Sequence, residues 1–204
     1  MPATTRRDAL KTLSGGASAA FLFHGCGSTP RATPRKPNVL FVMTDDQQWN
    51  QMSCAGAPIL KTPNMDRLAA EGVRFSNAFC TNSLCAPGRA TVITGALSHV
   101  HGIRGNSERA DAIEVLDDSL PTFPKLLQAA GYRTGLMGKW HIVQDPTGFD
   151  EWTVLPGQGL YMDPDFLFQG DKRKVSGYST DVTTDFALDF LRRAHEASDP
   201  WCLV

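Results

Sequence analysis

Asn38-Val39-Leu40-Phe41-Val42-Met43-Thr44-Asp45-Asp46 is a continuous apolar run that ends abruptly in two acids. A short run without alternation predicts a strand buried on both faces, as in a mostly parallel sheet covered by helices. In such sheets ligands collect beyond the carboxyl ends of the strands, which puts Asp45 and Asp46 where a cation would be held. Successive strand residues point to opposite faces, so both acids reach one ion only if the chain is already turning outward. Adjacent carboxylates repel and a divalent cation relieves the repulsion; oxygen ligands favour calcium or magnesium over zinc. Taken alone, an Asp-Asp pair is more often a solvated turn.

The rest of the chain alternates in the same rhythm. Thr62-Pro63 opens a helix that Gly72 closes, with Met65, Leu68 and Ala69 on one packing face. Residues 73–79 alternate like a strand, and 121–130 form an amphipathic helix with Phe123, Leu126, Leu127 and Ala130 on one side. Residues 132–138 predict the next buried strand, so helix followed by strand continues an α/β order. That strand ends in Lys139-Trp140-His141, where alternation puts Lys139 and His141 on one side and Trp140 on the other. A Lys and a His at a strand's carboxyl end suit a tetrahedral anion and proton transfer; alone, the trio is more often a snorkelling Lys beside an aromatic. Residues 145–176, rich in Gly, Pro and aromatics without a period, read as a long loop walling a pocket. A helix from Ser179 buries Val182, Phe186, Ala187, Phe190, Leu191 and Ala194, and residues 200–204 begin a last apolar strand.

Between these elements lies Cys85-Ala86-Pro87-Gly88-Arg89-Ala90-Thr91-Val92-Ile93-Thr94-Gly95. Pro87 suits a first helical turn and Gly95 a helix stop. Cys85 then sits at the positive end of the helix dipole, with Arg89 one turn on, so an anion at the Cys meets both charges. His99, His101 and Arg104 follow in a polar, Gly-containing loop; a loop His is more often a surface residue than a catalyst, and the other reading is that they line or shape the site.

The 204 residues carry 42% hydrophobic residues, enough for a core, and a net charge of -1, which argues against nucleic acid and charged membrane surfaces as partners. The five Cys include no C-x-x-C pair and support neither a zinc site nor a disulfide scaffold; Cys54 and Cys80 read first as two unrelated small buried hydrophobes, with pairing in an oxidising compartment as the alternative. Residues 1–36 stand apart. Twin arginines Arg6-Arg7 precede Leu10-Lys11 and a mildly apolar run over 13–23, which resembles a twin-arginine export signal and implies that export machinery as a partner. A basic N-terminus without that role is the alternative. Cys26 offers a weak lipoprotein site, and 27–37 read as a linker. The expected location is periplasmic or cell-surface.

Cys-x-Pro-x-Arg followed by Thr-Gly resembles the signature of the type I sulfatases, with Gly88 and Ile93 where that family more often carries Ser or Ala, and Leu. Gly138-Lys139-Trp140-His141 is similar to a second sulfatase segment, Asp45-Asp46 stands where the family carries its first two metal ligands, and 61–79 resemble the run between. The resemblance spans 36–204 and implies an alkaline-phosphatase/sulfatase-like α/β fold, a mixed, mostly parallel sheet flanked by helices. It also implies truncation at the C-terminus, because the family continues with a further His, a Lys and an Asp-Asn pair, and this fragment alone is then expected to be inactive. It implies that a formylglycine-generating enzyme oxidises Cys85 to formylglycine, whose hydrated aldehyde attacks the sulfur of a small-molecule or carbohydrate sulfate ester and expels the alcohol. Asp45, Asp46 and the modified Cys85 would hold calcium or magnesium; Arg89 would steady the nucleophile, Lys139 contact sulfate, and His141 move protons. Two alternatives stay open: a phosphonate or phosphate ester hydrolase of the same superfamily, and a catalytically inactive fragment.

Overall fold

Strand β2 (Arg133–Lys139) forms where the sequence predicts it, shifted by one residue, and its interior positions are all buried. The computed structural model describes residues 35–106 and 114–204, so the export signal, the lipoprotein Cys and most of the linker lie outside the described residues. Lys36–Val204 form one unit. It holds β1 (Val39–Leu40), α1 (Pro63–Glu71), α2 (Cys85–Thr94), α3 (Ser98–His101), α4 (Phe123–Ala129), β2, β3 (Glu151–Leu155), β4 (Asp165–Phe168), β5 (Asp171–Lys174), α5 (Ser179–Glu196) and β6 (Trp201–Leu203).

The strands make one sheet in the order β1-β6-β2-β3-β4-β5. β1, β6, β2 and β3 pair in parallel, while β4 and β5 add an antiparallel hairpin. The expected mixed, mostly parallel sheet flanked by helices is therefore observed. The last residues enter the sheet between β1 and β2, where Gly135 pairs with Leu203 and Thr134 with Cys202. Cys202 is fully buried, and burial pushes its thiol up to about 11, which makes it an inert packing group.

Alternation along β2 separates two cores. Leu136 faces Ala86, Ala90 and Ile93 of α2, together with Trp152 and Val154 of β3. Met137 faces the opposite way, onto Phe190 and Ala194 of α5 and onto Leu203. Gly135 shares that second side because nothing larger fits: a Cβ there would lie 2.6 Å from the fully buried Phe190 ring. Gly135→Ala is expected to cost about 1–3 kcal/mol as overpacking, read as a lowered denaturant midpoint with an unchanged slope; no change in midpoint would show that the ring yields.

Asp150 ties α4 to the sheet. Its carboxylate accepts from the Thr134 N–H at 2.8 Å, the Thr134 hydroxyl at 3.1 Å and the Gln128 amide at 2.6 Å. Partial burial pushes its pKa up, but these donors and the Arg133 charge outweigh it and hold the carboxyl below the usual range. A depressed folded pKa contributes stability above the unfolded value near 3.9 that is lost as pH falls through the folded value. Asp150→Ala is expected to cost about 1–2 kcal/mol at neutral pH, discounted for exposure. The gap from the parent protein should close as denaturation is repeated at increasingly acid pH. A gap constant with pH would assign the effect to something other than the carboxylate.

Several expectations are corrected. The strand predicted over 38–44 is only Val39–Leu40, at the sheet edge beside β6, and Leu40 and Val42 are exposed because nothing among the described residues covers those side chains. Residues 73–79 form no strand, and Val73, Phe75 and Phe79 are exposed. The expected buried faces of α1 and α4 leave Leu68 and Leu126 exposed. Thr62 does not cap α1 with its side chain; its hydroxyl accepts from the Ser53 N–H at 2.9 Å and donates to Asp66. The long loop predicted over 145–176 contains β3, β4 and β5. Helix α5 matches its prediction, with Asp181 in the first turn and Arg193 and His195 in the last, each complementing the helix dipole.

Candidate active site

Helix α2 starts at Cys85 and stops at Gly95, which adopts the left-handed conformation (φ 67°) that favours glycine. Its preceding residue, Leu84, has no capping side chain. Asn106 does that work from beyond α3: its side-chain oxygen accepts from the Ala86 N–H at 3.0 Å. Asn82 braces the same loop by donating to Ser98 and to the Arg104 carbonyl. One turn after Cys85, Arg89 stands on the same side of the helix.

Arg89 bridges α2 to the strand ends. It donates to the Lys139 carbonyl at 2.5 Å and pairs with Asp45 at 3.3 Å. Lys139, the last residue of β2, pairs with the same Asp45 oxygen at 2.7 Å and donates to the Cys85 sulfur at 3.4 Å and to Gln158 at 2.7 Å. Asp45 also lies 4.0 Å from that sulfur through its other oxygen. Four sequence-predicted residues therefore converge: Asp45, Cys85, Arg89 and Lys139. Partial burial raises the Asp45 pKa, yet the Lys139 hydrogen bond and charge, then Arg89, hold it below the usual carboxylate range. Burial pulls Arg89 down from its usual value, partly countered by Asp45 and Cys85. Arg89 Nε is buried and finds no acceptor in the protein, which marks a place for an added oxygen, because an unpaired buried donor costs about 1–3 kcal/mol.

Asp46 and His141 stand differently. Asp46 is exposed beside the cluster in a left-handed backbone conformation (φ 52°). His141 is buried (8% exposed) and also left-handed (φ 58°). β2 has already ended, so strand alternation does not place His141 beside Lys139 as the sequence reading expects. Backbone strain of this kind costs about 1–3 kcal/mol and gathers at functional sites. Trp140 packs, as expected, edge-on to Phe149.

Among the described residues no group of three His, Cys, Asp or Glu side chains is poised to hold a metal. Asp45 presents a carboxylate oxygen 4.0 Å from the Cys85 sulfur; a hard cation such as calcium would be held by that carboxylate together with an oxygen on an oxidised residue 85, not by the thiol.

The remaining polar candidates are structural. His101 is fully buried; its Nδ1 accepts from the Ile103 N–H and its other ring nitrogen bonds the Thr91 hydroxyl of α2. Burial holds its pKa below the ordinary value despite its backbone hydrogen bond and Glu114, so it braces α2 as a neutral imidazole. Arg104 pairs with Glu114. His99 joins none of these contacts. Cys54 and Cys80 are free thiols. Sequence reasoning missed Gln158 and Asn106; for Gln158 the available signal was a polar side chain between Gly157 and Gly159, and for Asn106 there was none.

Known proteins resemble this chain. Residues 37–204 match the profile of the family described as Sulfatase. The chain is 41% identical over 189 residues to an N-acetylglucosamine-6-O-sulfatase of Bacteroides thetaiotaomicron, covering 91% of this chain and 33% of that protein. It is 36% identical over 143 residues to the human N-acetylgalactosamine-6-sulfatase, covering 64% and 27%. A solved structure of an enzyme in complex with its substrate D-glucosamine-2-N,6-O-disulfate superposes with a TM-score of 0.76 at 44% identity, over 83% of this chain and 33% of that one. The chain thus spans about a third of the length of these relatives.

Proposed function

Because this chain belongs to the sulfatase family, we propose that its protein hydrolyses a sulfate monoester of a carbohydrate, with Cys85, oxidised to formylglycine, at the reacting centre. The observation that carries this reading is the convergence of Lys139, Arg89 and Asp45 on Cys85 at the mouth of α2. Two cationic side chains and a helix N-terminus around one residue suit the anionic sulfuryl group of a sulfate monoester and the inorganic sulfate released from it. The carbohydrate follows from the relatives, whose names and bound substrate are sulfated amino sugars.

In this reading Lys139 binds a sulfuryl oxygen, and its ammonium offsets the charge that builds there. Arg89 holds Asp45 and, through the Lys139 carbonyl, fixes α2 against β2; its buried Nε suits an oxygen on residue 85. His141 takes up and returns the proton at the attacking oxygen. A divalent cation, calcium or magnesium, would be held by Asp45, Asp46 and residue 85, and would supply Lewis-acid polarisation of the oxygens it binds.

Side-by-side turnover of an aryl sulfate, a 6-O-sulfated amino sugar and an aryl phosphonate by the protein co-expressed with a formylglycine-generating enzyme tests this. The sulfate esters should be preferred. A preference for the phosphonate would reassign the site to phosphoryl transfer, and absence of turnover by the full-length protein would make it an inactive relative.

A further inference from the structure

Gln158 lies between the reactive cluster and a cavity of about 530 Å³, lined also by His141, Val143, Asp145 and Leu167. Its position follows from sheet register: Lys139 pairs with Leu155 at the end of β3, and the chain turns back three residues later. The turn is closed by the Gly159 N–H donating to the Pro156 carbonyl at 3.0 Å. Gly157 and Gly159 are both left-handed (φ 55° and 75°), and a Cβ on Gly159 would crowd the Leu155 side chain at 3.0 Å. The backbone that presents Gln158 is therefore tightly specified.

An ammonium has three donors and no acceptor. Those of Lys139 meet Asp45 at 2.7 Å, the Gln158 oxygen at 2.7 Å and the Cys85 sulfur at 3.4 Å. Asp45 holds Lys139 by charge and in doing so weakens its pull on an anion. Gln158 holds it equally closely without adding negative charge. We propose that Gln158 is a positioning residue for Lys139, a neutral acceptor that aims the ammonium at residue 85 while leaving its charge available to the sulfate, on the wall of the cavity that receives the esterified sugar. The inference rests on the sulfatase reading for its substrate, though not for its geometry.

The test compares the parent protein with Gln158→Leu and Gln158→Glu, each as the full-length protein co-expressed with a formylglycine-generating enzyme. Turnover of an aryl sulfate is followed from mildly acid to neutral pH, and binding of inorganic sulfate is measured by calorimetry. Gln158→Leu should lower kcat/KM about tenfold, the loss expected for one hydrogen bond to a charged group, with melting temperature unchanged. Gln158→Glu should raise KM and the sulfate dissociation constant about tenfold near neutrality. Because Lys139, against partial burial, lowers the pKa of a carboxylate beside it, as it does that of Asp45, the added charge persists through the mildly acid range. Parent-like KM and sulfate affinity in both variants, or a Gln158→Glu protein that binds sulfate no more weakly than Gln158→Leu, would overturn the proposal. If the parent binds sulfate without hydrolysing the ester, the sulfatase reading fails, and the sulfate affinities alone decide the role of Gln158.

Discussion

Replacing Cys85 with alanine is expected to lower turnover of a sulfate ester by about 10⁴-fold or more while leaving the fold intact. Two features separate the effects. Cys85 opens α2, where alanine is the better helix former. Its sulfur lies in the polar cluster, at 3.4 Å from Lys139 and 4.0 Å from Asp45, and Cys85 belongs to neither apolar core cluster. Steady-state kinetics beside thermal melting checks this. Turnover within tenfold of the parent would move the reacting centre elsewhere; an equal loss of turnover and of melting temperature would mean that Cys85 is structural.

Phe190→Ala is expected to cost about 3–5 kcal/mol of unfolding free energy, the range for truncating a fully buried aromatic. The Phe190 ring has no exposed surface and fills the space that Gly135 leaves open, against Met137, Ala194 and Leu203. Arg133 also covers it, with its guanidinium 5.4 Å from the ring centroid. The cavity left behind cannot collapse, because β2 and β6 on one side and α5 on the other are fixed by sheet hydrogen bonds and by the Glu151–Arg193 ion pair. Denaturant unfolding measures the loss. A cost near 1 kcal/mol would show that α5 is loosely seated.

The two predictions mark what the amino-acid sequence made legible. Local chemistry was readable wherever one short segment carried it: the Pro87 and Gly95 limits of α2, the apolar face of α5 around Phe190, and the small and apolar run that became β2. Position in the sheet was not readable. Residues 38–44 have the composition of a central strand, yet only Val39–Leu40 is strand, beside β6, and Leu40 and Val42 are open to solvent. In the same way β3 to β5 hid inside a stretch whose Gly and Pro residues mark turns between strands rather than one long loop.

The site divides along the same line. Cys85, Arg89, Asp45 and Lys139 could be named from motifs, because their residue types declare their chemistry. That Arg89 and Lys139 share one carboxylate oxygen depends on sequence separations of 44 and 94 residues, which no local pattern encodes. Gln158 reaches Lys139 through strand register, and Asn106 reaches the first turn of α2 through a loop; both are common polar residues whose roles exist only in three dimensions.

The most direct measurement is the mass of the peptide carrying Cys85, taken from protein produced with a formylglycine-generating enzyme and shown to turn over a sulfate ester. The expected result is loss of the thiol and gain of an aldehyde that a hydrazide reagent captures, in proportion to activity across preparations. An intact, alkylatable Cys85 thiol in fully active protein would contradict it.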